Sequence, residues 1–203
     1  MAGYANIDST WQELKPLYAT IDGVQTPLQK GYANVDGVWC PFYSAIPDLS
    51  NFLNDDVFTF SAGNNYTPTT ERTETSIQAS GYRVESGAPA FVNLQTREPI
   101  LPGGISTISV NYSVSSRSGG SDYSYLMRLQ IRNTDMDEVL VQDIYASPSI
   151  GQSASGTLSV NMSTVTEPFI IMLYASITRR EQSVGGGKNY LTFYAPIVVT
   201  QGG

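Results

Sequence analysis

The chain contains no histidine, so the commonest general base and the commonest metal ligand are missing together. Ser-His-Asp and Cys-His arrangements cannot be assembled from this polypeptide. Its single cysteine, Cys40, follows Trp39, where a small packed thiol is expected instead of a nucleophile, and it has no intrachain disulfide partner. Gly185-Gly186-Gly187-Lys188 looks like a phosphate loop but lacks the Ser or Thr after the lysine and the correctly spaced first glycine. It reads as a hairpin loop. Asp135, Asp137 and Glu138 could converge on a hard cation such as Ca²⁺, yet they equally suit a hairpin turn capped by Asn133, which is the reading adopted. Two carboxylates can hydrolyse a glycosidic bond, but no pair stands apart from ordinary surface acids. No catalytic residue, metal or cofactor is assigned, and enzyme activity is not expected.

What remains is binding chemistry. A sugar site needs an exposed aromatic platform beside hydrogen-bonding side chains. The stretch from Ser115 to Tyr125 offers Arg117, Asp122, Tyr123 and Tyr125 in a Ser/Gly setting and is the chosen candidate for a glycan site. Asn64-Asn65-Tyr66 is a second set, and Arg179, Arg180 and Tyr190 form a third. For each of these tyrosines the plainer alternative is packing on a core.

Binding of another kind is suggested near the start of the chain, where three stretches align at intervals of 14 residues. GYANIDSTWQEL starts at Gly3, LYATIDGVQTPL at Leu17 and GYANVDGVWCPF at Gly31. Tyr4, Tyr18 and Tyr32 share a column, as do Asp8, Asp22 and Asp36; Trp11 and Trp39 share another, with Gln25 between them. Each copy reads as two short extended segments around a tight turn, because Asp-Gly between apolar residues is a strong hairpin signal. A lone two-stranded hairpin is marginal in water. Residues 1–43 are therefore expected to dock, through Tyr4, Trp11, Tyr18, Tyr32 and Trp39, with a small meander on the rest of the chain as the alternative.

The 203 residues allow one ordinary domain plus an appendage. Charged residues are 14% and net charge is −7, which argues against nucleic acid. No run of 18 apolar residues occurs, so no membrane span is expected, and the chain opens on the first repeat without a charged n-region or apolar h-region, so no secretory leader is expected. Residues 44–56 read as a linker. From 57 to 203 nearly every run is strand-length: Val57–Ser61, Ala90–Leu94, Ile105–Val114, Tyr125–Arg132, Glu138–Tyr145, Gly156–Met162, Pro168–Ile177 and Tyr190–Thr200. Turn signals separate them, and no helical period is sustained. The expected fold is all-β, hairpin repeats followed by a two-sheet antiparallel sandwich. Pro196 should mark an edge or a bulge.

The reiterated YANVDGVW pattern resembles the short tryptophan-bearing repeats of bacteriophage tail, fibre and capsid-decoration proteins. ISTISVNYSV, YLMRLQIR and FIIMLYASI are similar in order to the jelly-roll sandwiches of carbohydrate-binding modules. These resemblances imply a virion structural protein, made in the host cytoplasm, that docks on other virion proteins and projects a jelly-roll-like sandwich toward a bacterial surface glycan. A homo-oligomer is the expected state. The rivals are a cellular carbohydrate-binding accessory protein and a polysaccharide-degrading enzyme that runs on carboxylates.

Overall fold

The structure is a computed structural model that describes residues 46–63, 70–81, 90–116, 123–147, 153–179 and 189–201, and the backbone of short strands between residues 3 and 44. The chain divides into two units between Pro47 and Asp48.

In the first unit β1 (Gly3–Ile7) pairs with β2 (Thr10–Leu14), β3 (Tyr18–Ile21) with β4 (Val24–Pro27), and β5 (Lys30–Val35) with β6 (Val38–Ser44). Each hairpin closes on a two-residue connection, between Ile7 and Thr10, Ile21 and Val24, and Val35 and Val38. In the sequence the Asp-Gly pairs at 22–23 and 36–37 fall between the paired strands of the second and third hairpins. Register repeats with sequence: Asn6 faces Trp11, Thr20 faces Gln25 and Asn34 faces Trp39. The third copy shifts between Gly31↔Tyr43 and Tyr32↔Pro41, leaving Phe42 as the extra residue of a bulge.

The second unit consists of β7 (Phe58–Gly63), β8 (Thr70–Arg72), β9 (Ser76–Gly81), β10 (Ala90–Thr96), β11 (Ile105–Ser116), β12 (Tyr123–Asn133), β13 (Val139–Ser147), β14 (Ala154–Asn161), β15 (Phe169–Arg179) and β16 (Asn189–Gln201). One sheet runs β13-β12-β15-β10-β7 and the other β14-β11-β16-β9-β8, with every pair antiparallel. Counting β9 to β16 as strands one to eight gives the orders 2-7-4-5 and 1-8-3-6. This is the jelly-roll arrangement. β7 and β8 extend the two sheets beside strands two and one.

Alternation along the strands makes the core. Met127, Leu129 and Ile131 of β12 and Phe169, Ile171, Leu173 and Ile177 of β15 are buried, as are Ile108, Val110 and Val114 of β11 and Leu191, Phe193 and Ile197 of β16. Each such side chain contributes roughly 1.5–3 kcal/mol of transfer free energy. The sheets are also tied along one edge. Asp143 of β13 accepts a hydrogen bond from Ser159 N of β14 (2.9 Å), and the Tyr112 and Tyr145 rings lie 5.1 Å apart. Burial there, with Tyr145 and Asp143 nearby, pushes the Tyr112 phenol above its ordinary pKa.

The sequence places a linker over 44–56, and here the structure differs. Leu49 is 5% exposed and Phe52 0%, and Phe52 meets Phe58 edge-on at 5.8 Å. Arg72 holds the segment by donating to Phe52 O (2.6 Å) and pairing with Asp55 (2.7 Å), while Arg97 donates to Asp55 O. The sandwich thus begins at Asp48, because two apolar side chains in this polar stretch find room in its core. Pro196 lies where the β11–β16 register shifts between Ser109↔Val198 and Asn111↔Tyr194, a bulge in a central strand. Residues 133–138 form a turn whose Asn133 side chain accepts from the backbone of Asp137 and Glu138.

Candidate functional site

Strand direction separates the two poles of the sandwich. The register partners Gly63 and Phe91, Ala90 and Ile177, Tyr123 and Arg179, Ser116, Asn189 and Gly81, and Val114 and Ala154 all lie at one pole. The chain comes into the sandwich at the other pole, where Ile197 N donates to Leu49 O, Phe52 N to Glu74 O and Arg97 N to Val57 O.

Of the sequence-predicted candidates, Tyr123, Arg179 and Tyr190 belong to strand ends at the first of these poles. Arg117 and Asp122 lie outside the described residues, as do Asn64-Asn65-Tyr66, Arg180 and the glycine run at 185–187. The backbones of Tyr123 and Arg179 are register partners. Tyr125 requires a correction: it is 2% exposed, in phase with Met127 and Leu129 on the core side of β12, so it offers no platform to a ligand. Tyr4, Trp11, Tyr18, Tyr32 and Trp39 occupy strands of the hairpins at matching register, and their side chains lie outside the described set.

The described residues draw attention to a different surface, the outer face of the β13-β12-β15-β10-β7 sheet. Cross-strand pairing lines up Ile144, Arg128, Tyr174, Asn93 and Ser61 in one row over the five strands. The next row toward the Tyr123 pole carries Leu126, Ser176, Phe91 and Gly63, and the next one away carries Gln142, Gln130, Met172 and Gln95. Phe91 and Tyr174, diagonal neighbours, stack with centroids 5.9 Å apart and planes 25° from parallel. The Phe91 ring lies over Gly63, where an added Cβ would come within 2.0 Å of Phe91 Cε1. The absent side chain is what lets the ring lie there.

Polar groups on this face are incompletely satisfied. Gln130 donates to Gln142 (2.7 Å), and Arg132 donates to Gln130 and to Met136 O. Asn93 Oδ1, Arg128 Nε and Arg132 Nε are buried without a hydrogen-bond partner. Buried polar atoms are normally paired, so three without a partner set this face apart. The outer face of the other sheet is the contrast. There Ser113 pairs with Tyr194, Gln78 with Thr192 and Thr157 with Asn111. Among the described residues no cluster of His, Cys, Asp and Glu is arranged to hold a metal ion.

Two stacked rings beside unsatisfied amide and guanidinium groups can receive a flat ligand with one apolar side and polar edges. Gly63→Ala is expected to push Phe91 off its place and strain the β7 edge at a cost of about 1–3 kcal/mol. Near-ultraviolet circular dichroism and thermal melting would register the change; an unaltered spectrum and melting temperature would contradict the assigned role of Gly63. Sequence reading missed Phe91, Asn93, Arg128 and Tyr174. Alternation in β12 carried one signal, since a charge in YLMRLQIR falls on the face opposite Met127 and Leu129.

The architecture is a jelly-roll β-sandwich with one unsatisfied aromatic face, joined to a unit of three hairpins. No protein-family model matches the chain, and no curated protein does. Among solved structures, an enzymatically active domain of tailspike protein 4 from bacteriophage CBA120 is 13% identical over 73% of this chain, with a TM-score of 0.42. The chain spans 21% of that protein's length. A carbohydrate-binding module of the β-sandwich superfamily is 13% identical over 98% of this chain and 84% of its own, TM-score 0.43. A family 11 carbohydrate-binding module of a Clostridium thermocellum cellulase is 11% identical over 75% of this chain and 96% of its own, TM-score 0.34. Likeness of this degree decides nothing about function, which must come from the residues themselves.

Proposed function

We propose that the chain is a glycan-binding structural protein of a bacteriophage virion. The observation that carries the glycan part is the stacked Phe91–Tyr174 pair beside the unpartnered Asn93 Oδ1 and Arg128 Nε. Saccharides present just such chemistry, an apolar C–H face and a rim of hydroxyls. The virion part rests on the repeated tyrosine- and tryptophan-bearing hairpins, which need a partner because two strands alone are marginal. Docking by residues 1–43, on other virion proteins or on further copies of the chain, leaves the sandwich free to meet a bacterial surface glycan. Many copies on one particle convert weak single-site binding into avidity. The reading involves no turnover, no cofactor and no nucleic acid, and it places the protein in the virion after synthesis in the host cytoplasm.

Particle fractionation tests the docking half. Full-length chain is expected to band with virions purified from the lysate in which it is made, and chain lacking residues 1–43 to stay in the soluble fraction. Equal distribution of the two forms would refute a docking role. A full-length chain that binds glycan yet never bands with particles would favour a cellular carbohydrate-binding protein.

A further inference from the structure

Resting on the glycan-binding reading, we infer that the ligand of the β13-β12-β15-β10-β7 face is an acidic saccharide whose carboxylate is received by Arg128. The chain carries a net charge of −7, yet this face bears Arg128 and Arg132 and no carboxylate among the described residues. The nearest acid in β13, Asp143, is turned to Ser159 of the opposite sheet. Arg72 and Asp55 form an ion pair that holds the start of the sandwich. Arg132 is partly occupied, donating to Gln130 and Met136 O, while Arg128 Nε is buried without an acceptor.

A guanidinium is a planar fork of N–H donors with no acceptor of its own, so a partly desolvated one is best matched by an anion. The buried Nε of Arg128 has no acceptor, and a carboxylate matches the guanidinium fork with two parallel hydrogen bonds. Arg128 is the direct cross-strand neighbour of Tyr174. Adjacent strands lie about 4.8 Å apart, the scale of one sugar ring, so a ring seated on Tyr174 brings an exocyclic carboxylate to Arg128. Asn93, on the other side of Tyr174, remains for a hydroxyl of the ring. Two cations on an acidic protein are too few for a densely phosphorylated polymer, which binds through many phosphate contacts. One carboxylate per ring suits them better.

The test is an array of saccharides in which each acidic member is matched with its carboxyl-reduced form, probed with the full-length chain. Bound members are expected to be carboxylated and to bind about tenfold or more weakly once reduced, as expected for loss of charge-assisted hydrogen bonds. Arg128→Gln should lower binding of the acidic form to about the level of the reduced form, so that the variant no longer discriminates between the two. Arg128→Lys, which keeps the charge but not the fork, should fall between. An unchanged thermal melting curve for each variant separates loss of the site from loss of the fold. Equal binding of acidic and reduced forms, binding only of sulfated or phosphorylated members, or an Arg128→Gln variant with unaltered discrimination would each overturn the inference. Selective binding of neutral saccharides overturns it while leaving the glycan-binding reading intact. Binding of no member overturns both.

Discussion

Phe52→Ala should destabilise the sandwich by about 3–5 kcal/mol, although the residue lies in a stretch that reads as a linker. The ring is wholly buried, meets Phe58 edge-on, and leaves a cavity that its neighbours cannot readily fill. Domains of this size are stable by roughly 5–15 kcal/mol, so the loss is a large share of the total. Urea unfolding of the variant would measure it through the midpoint at constant slope. A change below about 0.5 kcal/mol, as at an exposed site, would mean that the sandwich does not begin at Asp48.

That segment shows why part of the fold escapes a sequence reading. Pro47 and the polar residues after it look like solvated spacer. In the structure those polar side chains cap the backbone of a packed run: Asp48 accepts from Ser50 N, Asn51 from Leu53 N and Asn54 from Asp56 N. Local turn chemistry thus imitates a linker while Leu49 and Phe52 go into the core. The strands were easier, because Ile108, Val110 and Val114 alternate with polar residues in β11, and 14-residue spacing marks each hairpin. Strand order could not be seen, since it depends on pairings as distant as Ile105 with Gln201. The candidate face was hidden for a related reason. In β15 the run Phe169–Ala175 is nearly all apolar on both sides, so nothing local marks Tyr174 as outward. Tyr125 is the opposite case: its phase with Met127 and Leu129 already points inward, and composition alone made it look like a binding residue.

Tyr174→Ala is expected to weaken glycan binding by about 2 kcal/mol or more, roughly 30-fold. The side chain is half-buried on the outer face, so the fold should tolerate its truncation better than that of a core ring. Loss of the ring removes the partner of Phe91 and the seat between Arg128 and Asn93. Tyr194→Ala is the matched control: Tyr194 is 41% exposed on the other sheet, bonded to Ser113, and its removal should leave affinity unchanged. Isothermal titration of both variants with the saccharide selected on the array gives the comparison. A Tyr194 effect as large as the Tyr174 effect would put the ligand on the wrong sheet for this account.

The most direct measurement is an amide chemical-shift titration of the isotopically labelled full-length chain with that saccharide. The account predicts that the largest shifts fall on Phe91, Asn93, Arg128 and Tyr174 and their register neighbours in β10, β12 and β15. Shifts confined to residues 117–123, or to the outer face of the β14-β11-β16-β9-β8 sheet, would contradict it.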